Sequence, residues 1–525
     1  MPELPDAGSL PARLTPRDFD HWNDVVTASG DGADREVVAP YTGDAFCRAP
    51  ESTPDDVATA VADADAAQSR WADRGFDVRA AVLERFHDLV LDRREELLDL
   101  MQLETGKARG DAYEEVMDVA MTSRYYATRV ADQLASERRR AALPLLSTAR
   151  VHYDPVGVVG IIAPWNYPLT LAVGDAIPAL LAGNSVVLKP AEETPYTALA
   201  TVQLLREAGL PHDAFQVVTG DGATLGDPLI ERVDYVSFTG STAVGRQIAA
   251  KAGEELVDCS LELGGKNPVY VRPDVDVDTA VDRAIGACYT NAGQLCISAE
   301  RLYVHEDVYD EFSRRFVDAV ADLEPGTEYA YGVPVGSLIS ESQLERVEEH
   351  VADAREHGAA VETGGQVRDD VGPYFYAPTV LTDLPADATA ACEETFGPVV
   401  NMEPVASDAE AVEKANDTDY GLHAAILSGD VDVARAIARD VDAGTISIND
   451  GYVTSWAAHD APMGGMKDSG LGRRHGPDGV ERFTEKKAVS TSRGLPFDPV
   501  TGPTDLEAKV LAAGLKLWRH VPFLR

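Results

Sequence analysis

The chain has few basic residues for its size. Of its 525 residues, 46 are Lys or Arg and 88 are Asp or Glu, so the formal net charge is −42. Such a surface repels nucleic acid phosphates, and we expect no nucleic acid partner. The acidic residues recur along the whole chain, which is typical of the hydrated, self-repelling surfaces of halophilic proteins. The composition therefore predicts a halophilic protein of the kind found in a haloarchaeon-like acidic proteome.

Cysteine is also scarce. The five cysteines, at positions 47, 259, 288, 296 and 392, are odd in number and form no CxxC pair. This spacing gives little support to a disulfide framework or a zinc site, and we predict no metal. A reducing cytoplasm is the expected setting.

Long apolar runs are absent. The most apolar segment, 169–188, is interrupted by Asp175, Pro178 and Asn184. It is therefore predicted to be a buried helix and strand rather than a membrane span. The first residues contain neither a basic nor an apolar signal region, so no signal peptide is expected.

The chain does contain a clear alternation of strands and helices. Residues 1–50 resemble an irregular lead-in, and helical periodicity runs from Thr53 to about Ala141, with Pro54 as a helix start. Buried strands are then predicted at 156–162, 185–188, 215–218 and 235–238, and helices at 194–208 and 241–252. This order predicts an α/β fold with a parallel sheet, followed by a second α/β alternation over 269–449. The length predicts two or three domains.

A nucleotide site is predicted where two of these strands end. Gly240 and Ser241 follow a strand and open a helix, which suits a phosphate, although the spacing is not GxGxxG and a plain turn fits as well. Lys189 and Glu192 follow the strand 185–188. Glu192 can accept hydrogen bonds from ribose hydroxyls and would repel a 2′-phosphate, which favours NAD over NADP. An ordinary surface Lys–Glu pair is the alternative.

Three further residues carry candidate chemistry. Asn166, between two aromatic residues and two prolines, is a rigid donor for an oxyanion or part of a structural turn. Cys296 follows a small-residue loop and is either a nucleophile or a buried apolar residue. Glu262, which lies 34 residues earlier between two leucines, is either a base with a raised pKa or a paired strand residue. The other four cysteines are interpreted as structural.

Taken together, these motifs resemble the NAD(P)-dependent aldehyde dehydrogenase superfamily over about residues 20–495. The motifs that carry the resemblance are PWNYP at 164–168, KPAEETP at 189–195, FTGST at 238–242, LELGGKNP at 261–268, NAGQLC at 291–296, ETFGP at 394–398 and GGMKDSG at 464–470.

The resemblance implies a role for each residue. Cys296 would form a thiohemiacetal and then a thioester, Asn166 would hold the oxyanion, and Glu262 would activate water. The implied cofactor is NAD, with NADP possible. The implied cofactor-binding residues are Lys189, Glu192, Gly222, Phe238, Gly240, Ser241, Glu394, Phe396 and Trp165.

The resemblance also implies three structural parts and an oligomer. A Rossmann-like cofactor domain would span 20–130 and 153–264, and an α/β catalytic domain would span 265–460. A small β oligomerisation arm would comprise 131–152 and 480–496 and would form homodimers or homotetramers. Residues 497–525 are predicted to be a basic amphipathic tail, which would lie either on a membrane surface or between subunits.

The substrate is less determined than the chemistry. The tract 461–476 and the segment 169–188 are similar to a succinate-semialdehyde dehydrogenase branch. Members of that branch carry two arginines for the substrate carboxylate, but the matching positions here are Gly174 and Thr290. An apolar or aromatic aldehyde is therefore an alternative, unless Arg473, Arg474 or another base replaces them.

Two alternatives belong to other classes. A CoA-acylating dehydrogenase would not need a water-activating base, so the presence of Glu262 argues against it. A non-catalytic scaffold would be expected to lose Cys296, Asn166 or Glu262, and all three are present.

Overall fold

A computed structural model describes residues 10–30, 33–140, 147–493 and 500–519. Its helices are α1 Pro16–Asn23, α2 Pro54–Ala72, α3 Phe76–Asp92, α4 Arg94–Thr105, α5 Arg109–Gln133, α6 Pro168–Val173, α7 Ala176–Ala182, α8 Pro195–Glu207, α9 Gly222–Ile230, α10 Thr242–Glu255, α11 Val277–Tyr289, α12 Glu306–Ala321, α13 Glu341–His357, α14 Thr389–Cys392, α15 Asp408–Asn416, α16 Val431–Ala438, α17 Val453–Trp456, α18 Gly476–Glu481 and α19 Asp505–Trp518. Among the described residues, every helix is too short or too polar to cross a bilayer.

The strands alternate with these helices through most of the chain. They are β1 Asp34–Ala39, β2 Asp44–Pro50, β3 Glu137–Arg139, β4 Ser147–Pro155, β5 Val158–Ile162, β6 Ser185–Lys189, β7 Phe215–Val217, β8 Tyr235–Thr239, β9 Asp258–Glu262, β10 Asn267–Val271, β11 Ala299–His305, β12 Ala360–Thr363, β13 Thr379–Thr382, β14 Val399–Val405, β15 Tyr420–Gly421, β16 His423–Leu427, β17 Thr445–Ile448, β18 Met466–Lys467, β19 Gly470–Leu471 and β20 Thr484–Ser492.

The larger of two compact units comprises Met1–Val130 and Pro155–Phe483. It contains a six-stranded sheet of order β19-β9-β8-β5-β6-β7, which is parallel except for β19. Its central strands are short and almost fully buried, because helices cover both faces of a parallel sheet. The predicted parallel sheet is confirmed, with strand bounds within two residues of those predicted.

The strand order of this sheet reverses at β5. The chain passes from β5 to β6 and β7 on one side and then returns to place β8 and β9 on the other. The carboxyl ends of β5 and β8 therefore meet where their connections diverge, and open α/β sheets bind ligands at such a point. Asn166 and Gly240 follow β5 and β8, and Glu262 is the last residue of β9.

A seven-stranded sheet, of order β12-β13-β14-β11-β10-β16-β17, forms the second part of the larger unit. It is parallel except for the pair β12–β13. Cys296 lies just before β11, in a loop that begins with left-handed backbone at Asn291, Ala292 and Gly293. A Cβ atom on Gly293 would lie 2.0 Å from the carbonyl oxygen of Gly397, so only glycine fits there.

The smaller unit comprises Ala131–Asp154 and Thr484–Arg525. It contains a three-stranded sheet of order β20-β4-β3 and the helix α19, whose described side chains are mostly exposed. Residues 141–146 and 494–496 of the predicted arm, and 497–499 and 520–525 of the predicted tail, lie outside the described residues. The division into the domains given above stays a prediction.

Two local expectations are wrong. The helical pattern predicted to about Ala141 ends earlier, since residues 137–139 form β3 against β4. The predicted irregular lead-in contains α1 and the antiparallel pair β1–β2. Thr15 and Asp18 form a capping box at the start of α1, and this signal is readable from the sequence.

Candidate active site

The cavity at the sheet reversal brings most of the predicted site residues together. It has a volume of about 250 Å³. Its lining includes the predicted residues Trp165, Asn166, Gly240, Ser241, Glu262, Cys296, Glu394 and Phe396, and also Gln343 and Arg346, which the sequence did not indicate. Residues separated by more than 200 positions thus share one cavity.

Cys296 presents a partly exposed thiol to this cavity. Burial raises the pKa of this thiol to about 12, and the charges of Glu394 and Glu262 add to the effect. The resting thiol is therefore protonated near neutral pH, and attack on a carbonyl requires a proton acceptor. Asn267 Nδ2 holds the loop by donating to the backbone carbonyl of Cys296 at 2.7 Å.

Glu262 is the last residue of β9 and is 5% exposed. Burial raises its pKa to about 7, although the charges of Arg474 and Arg482 oppose this effect. Its Oε1 atom is buried and has no hydrogen-bond partner among the described residues. A Cβ atom on Gly464 would lie 3.0 Å from Oε1, so the glycine leaves this oxygen free to accept a proton.

Asn166 points its side-chain amide at the cysteine loop. Its Nδ2 donates to the carbonyl of Gln294 at 3.1 Å, two residues before Cys296. An amide nitrogen carries two hydrogens, so a second donor remains for an oxygen bound at the thiol. The backbone carbonyl of Asn166 accepts from Asn291 Nδ2 at 3.2 Å, which links the two loops again.

A buried ion pair that the sequence analysis missed supports Asn166. Lys107 Nζ donates to Glu115 at 2.6 Å and to the Asn166 carbonyl at 2.7 Å, and both charged side chains are 0% exposed. The second oxygen of Glu115 accepts from the backbone N–H groups of Leu169 and Thr170, at the first turn of α6. No sequence pattern indicates this pair, because its partners meet only after folding.

The cavity lining also contains Glu394 and Phe396. The rings of Phe396 and Trp165 meet edge to face, with centroids 5.5 Å apart. Glu394 accepts from the N–H of Gly265 at 3.0 Å, and burial raises its pKa to about 8. The loop is held by Glu300, which accepts from the N–H groups of residues 395 and 396 at 2.9 Å.

Lys266 and Glu300 form a second buried ion pair, also missed from the sequence. Lys266 lies inside the LELGGKNP motif, which also contains Glu262. Through Glu300, the motif is therefore linked to the loop that contains Glu394. Because removing water strengthens such contacts, the pair fixes this loop relative to β9 and β11.

The predicted ribose residues form a separate cluster outside the cavity lining. Glu192 accepts from the N–H of Gly222 at 3.0 Å and pairs with Arg35 at 3.0 Å. A Cβ atom on Gly222 would lie 3.5 Å from Lys189 Nζ, so Lys189 joins the same cluster. Arg35, from β1, was not identified from the sequence.

The site fits a dinucleotide cofactor. A Cβ atom on Gly240 would lie 2.5 Å from the Phe238 ring, which leaves bare backbone at the start of α10. Ser241 caps this helix by accepting from the N–H of Val244 at 3.4 Å. Bare backbone and a helix N-terminus suit a pyrophosphate, and the Lys189–Glu192 cluster suits ribose hydroxyls.

Gly174 and Thr290, which stand where the related branch carries arginines, add no charged side chain to the site. Gly174 follows α6 and lines a small buried chamber beside Arg474. Thr290 follows α11, and its hydroxyl donates to the carbonyl of Gly286 at 2.8 Å.

Comparison with known proteins agrees with this geometry. The model of the aldehyde dehydrogenase family matches residues 26–489. A putative succinate-semialdehyde dehydrogenase [NADP(+)] of Mycolicibacterium smegmatis is 49% identical over 468 residues, which are 89% of this chain and 90% of that protein. The predicted haloarchaeal origin is not shown by such a mycobacterial relative.

Two solved structures are similar in fold as well. Succinate-semialdehyde dehydrogenase from Burkholderia pseudomallei has a TM-score of 0.85 and 36% identity, covering 89% of this chain and 96% of that one. Betaine aldehyde dehydrogenase from Staphylococcus aureus in complex with NAD+ has a TM-score of 0.85 and 32% identity, covering 90% and 94%. The chain therefore belongs to the aldehyde dehydrogenase family and is an NAD(P)-dependent aldehyde dehydrogenase.

Proposed function

We propose that this enzyme oxidises succinate semialdehyde to succinate through a covalent intermediate on Cys296. The observation that carries the proposal is the meeting of three groups at one cavity: the Cys296 thiol, the unpartnered Glu262 oxygen and the Asn166 amide. The names of the relatives from M. smegmatis and B. pseudomallei support this substrate.

In the proposed reaction, the Cys296 thiol gives its proton to solvent water as its sulfur bonds to the aldehyde carbon. Asn166 Nδ2 and the Cys296 backbone N–H donate to the oxyanion. Bound NAD(P) supplies the hydride acceptor, and a thioester remains on Cys296. Glu262 takes a proton from water as its oxygen bonds to the thioester carbon, and cleavage of the C–S bond releases the acid and the thiolate.

For the cofactor, we propose a preference for NAD. If Glu192 binds the adenosine ribose as the resemblance implies, its carboxylate would repel a 2′-phosphate. The relatives named as NADP-dependent point the other way. Arg35 pairs with both Glu192 and Glu51, so its charge is already balanced by two carboxylates.

The decisive experiment measures NADH formation by the purified enzyme at molar salt with succinate semialdehyde, medium-chain aldehydes and aromatic aldehydes. Cys296→Ala is expected to abolish turnover, while the matched control Cys259→Ala, another partly exposed thiol outside the cavity lining, retains it. Full activity of Cys296→Ala would overturn the covalent route. Preference for an apolar or aromatic aldehyde would overturn the substrate, and CoA-dependent acyl-CoA formation would indicate the acylating class.

The remaining proposals concern assembly and setting. We propose a cytoplasmic, halophilic homodimer or homotetramer, joined through residues 131–152 and 480–496. The exposed apolar side chains of α19, including Leu506, Val510 and Leu517, support a covering partner for the tail, either another subunit or a membrane surface. Light scattering of the full chain and of a chain ending at residue 496 separates these cases, because only an intersubunit tail would change the mass of the oligomer.

A further inference from the structure

Two arginines, of which Arg474 is buried and Arg482 partly buried, share one buried carboxylate beside the active site. Arg474 donates to Asp175 at 2.7 Å, and Arg482 donates to its other oxygen at 2.5 Å. Asp175 is 3% exposed and Arg474 is 7% exposed. The charges of Arg474 and Arg482 outweigh the effect of burial and lower the pKa of Asp175 well below its usual range. We call Arg474, Arg482 and Asp175 together the arginine pair. Its two cations and one anion give it a formal charge of +1.

The arginine pair also has unused hydrogen-bond donors. The Nε atoms of Arg474 and Arg482 are buried and have no partner among the described residues. Native structures rarely leave such buried donors unsatisfied. A bound acceptor that carries negative charge would satisfy both the donors and the unbalanced charge.

A chamber of about 10 Å³ adjoins these donors. Its lining includes Gly174, Arg474, Arg482 and Thr170. This volume holds about one water molecule, or one oxygen atom of a carboxylate in its place. Gly174, where the related branch carries an arginine, borders the chamber. The positive charge at the chamber therefore comes from Arg474 and Arg482 and not from position 174.

The arginine pair lies beside β9, since Arg482 Nη1 donates to Ser260 Oγ at 2.8 Å, two residues before Glu262. The charge of Arg474 lowers the pKa of both Cys296 and Glu262, against the larger effect of burial. Asp118, which also lines the chamber, has a pKa raised to about 7 by burial, so it can be neutral and need not repel an anion. In succinate semialdehyde, the carboxylate carbon lies three C–C bonds from the aldehyde carbon. The group that binds the carboxylate must therefore lie close to Cys296.

We propose that the arginine pair is the substrate-carboxylate site of this enzyme, with Arg474 as the residue that donates to the substrate. One carboxylate oxygen occupies the chamber and accepts from Arg474 Nε, while Arg482 keeps Asp175 paired. This inference rests on the proposed function, since it names how succinate semialdehyde is recognised without arginines at positions 174 and 290.

The test compares succinate semialdehyde with methyl 4-oxobutanoate, its neutral ester. Arg474→Gln is expected to raise KM for succinate semialdehyde about 30-fold and to change KM for the ester less than about threefold, as for loss of a charged hydrogen bond. Arg79→Gln is the matched control, because Arg79 is 3% exposed, bonds only to backbone carbonyls among the described residues, and lies outside both cavities. It is expected to keep the wild-type preference.

A measurement of succinate binding tests the site without turnover, and a second variant supports the result. Succinate should raise the Tm of the wild type and of Arg79→Gln but not that of Arg474→Gln. Arg474→Lys keeps a cation without the forked N–H donors of the guanidinium group, and it should show a KM between those of the wild type and the glutamine variant. If the glutamine variant does not fold, the KM of the lysine variant tests the proposal.

The outcomes separate this inference from the proposed function. A wild-type enzyme that does not prefer succinate semialdehyde over its ester would overturn the proposed substrate and the anchor together. A wild type that prefers it, with a preference unchanged in Arg474→Gln, would overturn the anchor and leave the substrate standing. An equal loss of kcat on both substrates with unchanged KM would mean that Arg474 acts only through Glu262, which also overturns the anchor.

Discussion

Replacing Lys107 with methionine tests whether the buried ion pair holds the active site. The substitution keeps an unbranched apolar side chain but removes the ammonium group that contacts Glu115 at 2.6 Å and the Asn166 carbonyl at 2.7 Å. Both charged side chains are 0% exposed, so water cannot replace the lost cation. Glu115 keeps its two backbone donors at 2.9 and 3.0 Å, which limits the loss.

Leaving one partner of a buried pair uncompensated lowers the free energy of unfolding by about 3–5 kcal/mol. The double variant Lys107→Met/Glu115→Gln removes both charges and should recover at least about half of that loss, since no buried charge remains. The Asn166 carbonyl stays without its lysine donor in both variants. Both should therefore show reduced kcat, because the oxyanion donor is less well held.

The loss of stability should depend on pH. Burial raises the pKa of Glu115, and Lys107 is the main influence that lowers it. Without Lys107, the folded-state pKa rises further above the unfolded value of about 4.3. A raised carboxyl pKa favours the folded state at low pH, and this advantage is lost as the pH rises from about 4.3 through the folded pKa.

Urea unfolding of the wild type and both variants, at pH 5.5 and pH 8 in molar salt, measures these differences. The single variant should lose more stability at pH 8, and the double variant should show little pH dependence relative to the wild type. A single-variant loss below about 1 kcal/mol, or a loss equal at both pH values, would refute the assigned role of Lys107.

Three further outcomes are expected. Glu262→Gln should lower kcat by about 10²–10⁴ with an early burst of NADH, because the thioester forms but its hydrolysis lacks a base; stopped-flow absorbance without a burst would contradict this. Glu192→Ser should raise the ratio of kcat/KM for NADP to that for NAD at least about tenfold, since removing about 1.4 kcal/mol of repulsion suffices; an unchanged ratio would exclude Glu192 as the discriminator. The Tm should rise from 0.1 to 2 M KCl, because salt screens the self-repulsion of a chain with net charge −42; scanning calorimetry showing a flat or falling Tm would argue against a halophilic protein.

The local pattern of apolar residues was sufficient to predict the strands that surround the site. The short apolar runs that became β5 and β8 are bounded by glycine and proline, and a parallel sheet places their ends together. Motifs at the carboxyl ends of such strands, including Asn166, Gly240 and Glu262, could therefore be assigned to one region before any contact was known.

The supporting contacts could not be predicted in this way. Lys107, Glu300 and Arg35 carry no motif, and each meets its partners only through the tertiary fold. A single lysine or glutamate is most often a solvated surface residue, so sequence alone favours the wrong environment for Lys107 and Glu300. Arg474 was noted from its position, but its pairing with Asp175, 299 residues away, depends on the packed structure.

The arginine pair links substrate recognition to the base. Arg474 and Arg482, with a smaller effect from Arg473, lower the pKa of Glu262, while burial and Asp175 raise it. A carboxylate bound to Arg474 would cancel the net positive charge of the pair. The pKa of Glu262 should then rise above about 7, which makes it a stronger acceptor for a proton.

This coupling has a kinetic signature that depends on the charge of the substrate. Glu262 is the base only when ionised, so activity falls as the pH drops through its pKa; kcat/KM reports that pKa in the free enzyme and kcat reports it in the complex. With succinate semialdehyde, the acid limb of kcat should lie at higher pH than that of kcat/KM. With methyl 4-oxobutanoate, the two limbs should coincide. Coincident limbs for both substrates would show that the bound carboxylate does not cancel the charge of Arg474. The ester is the control, because a neutral ligand cannot cancel that charge.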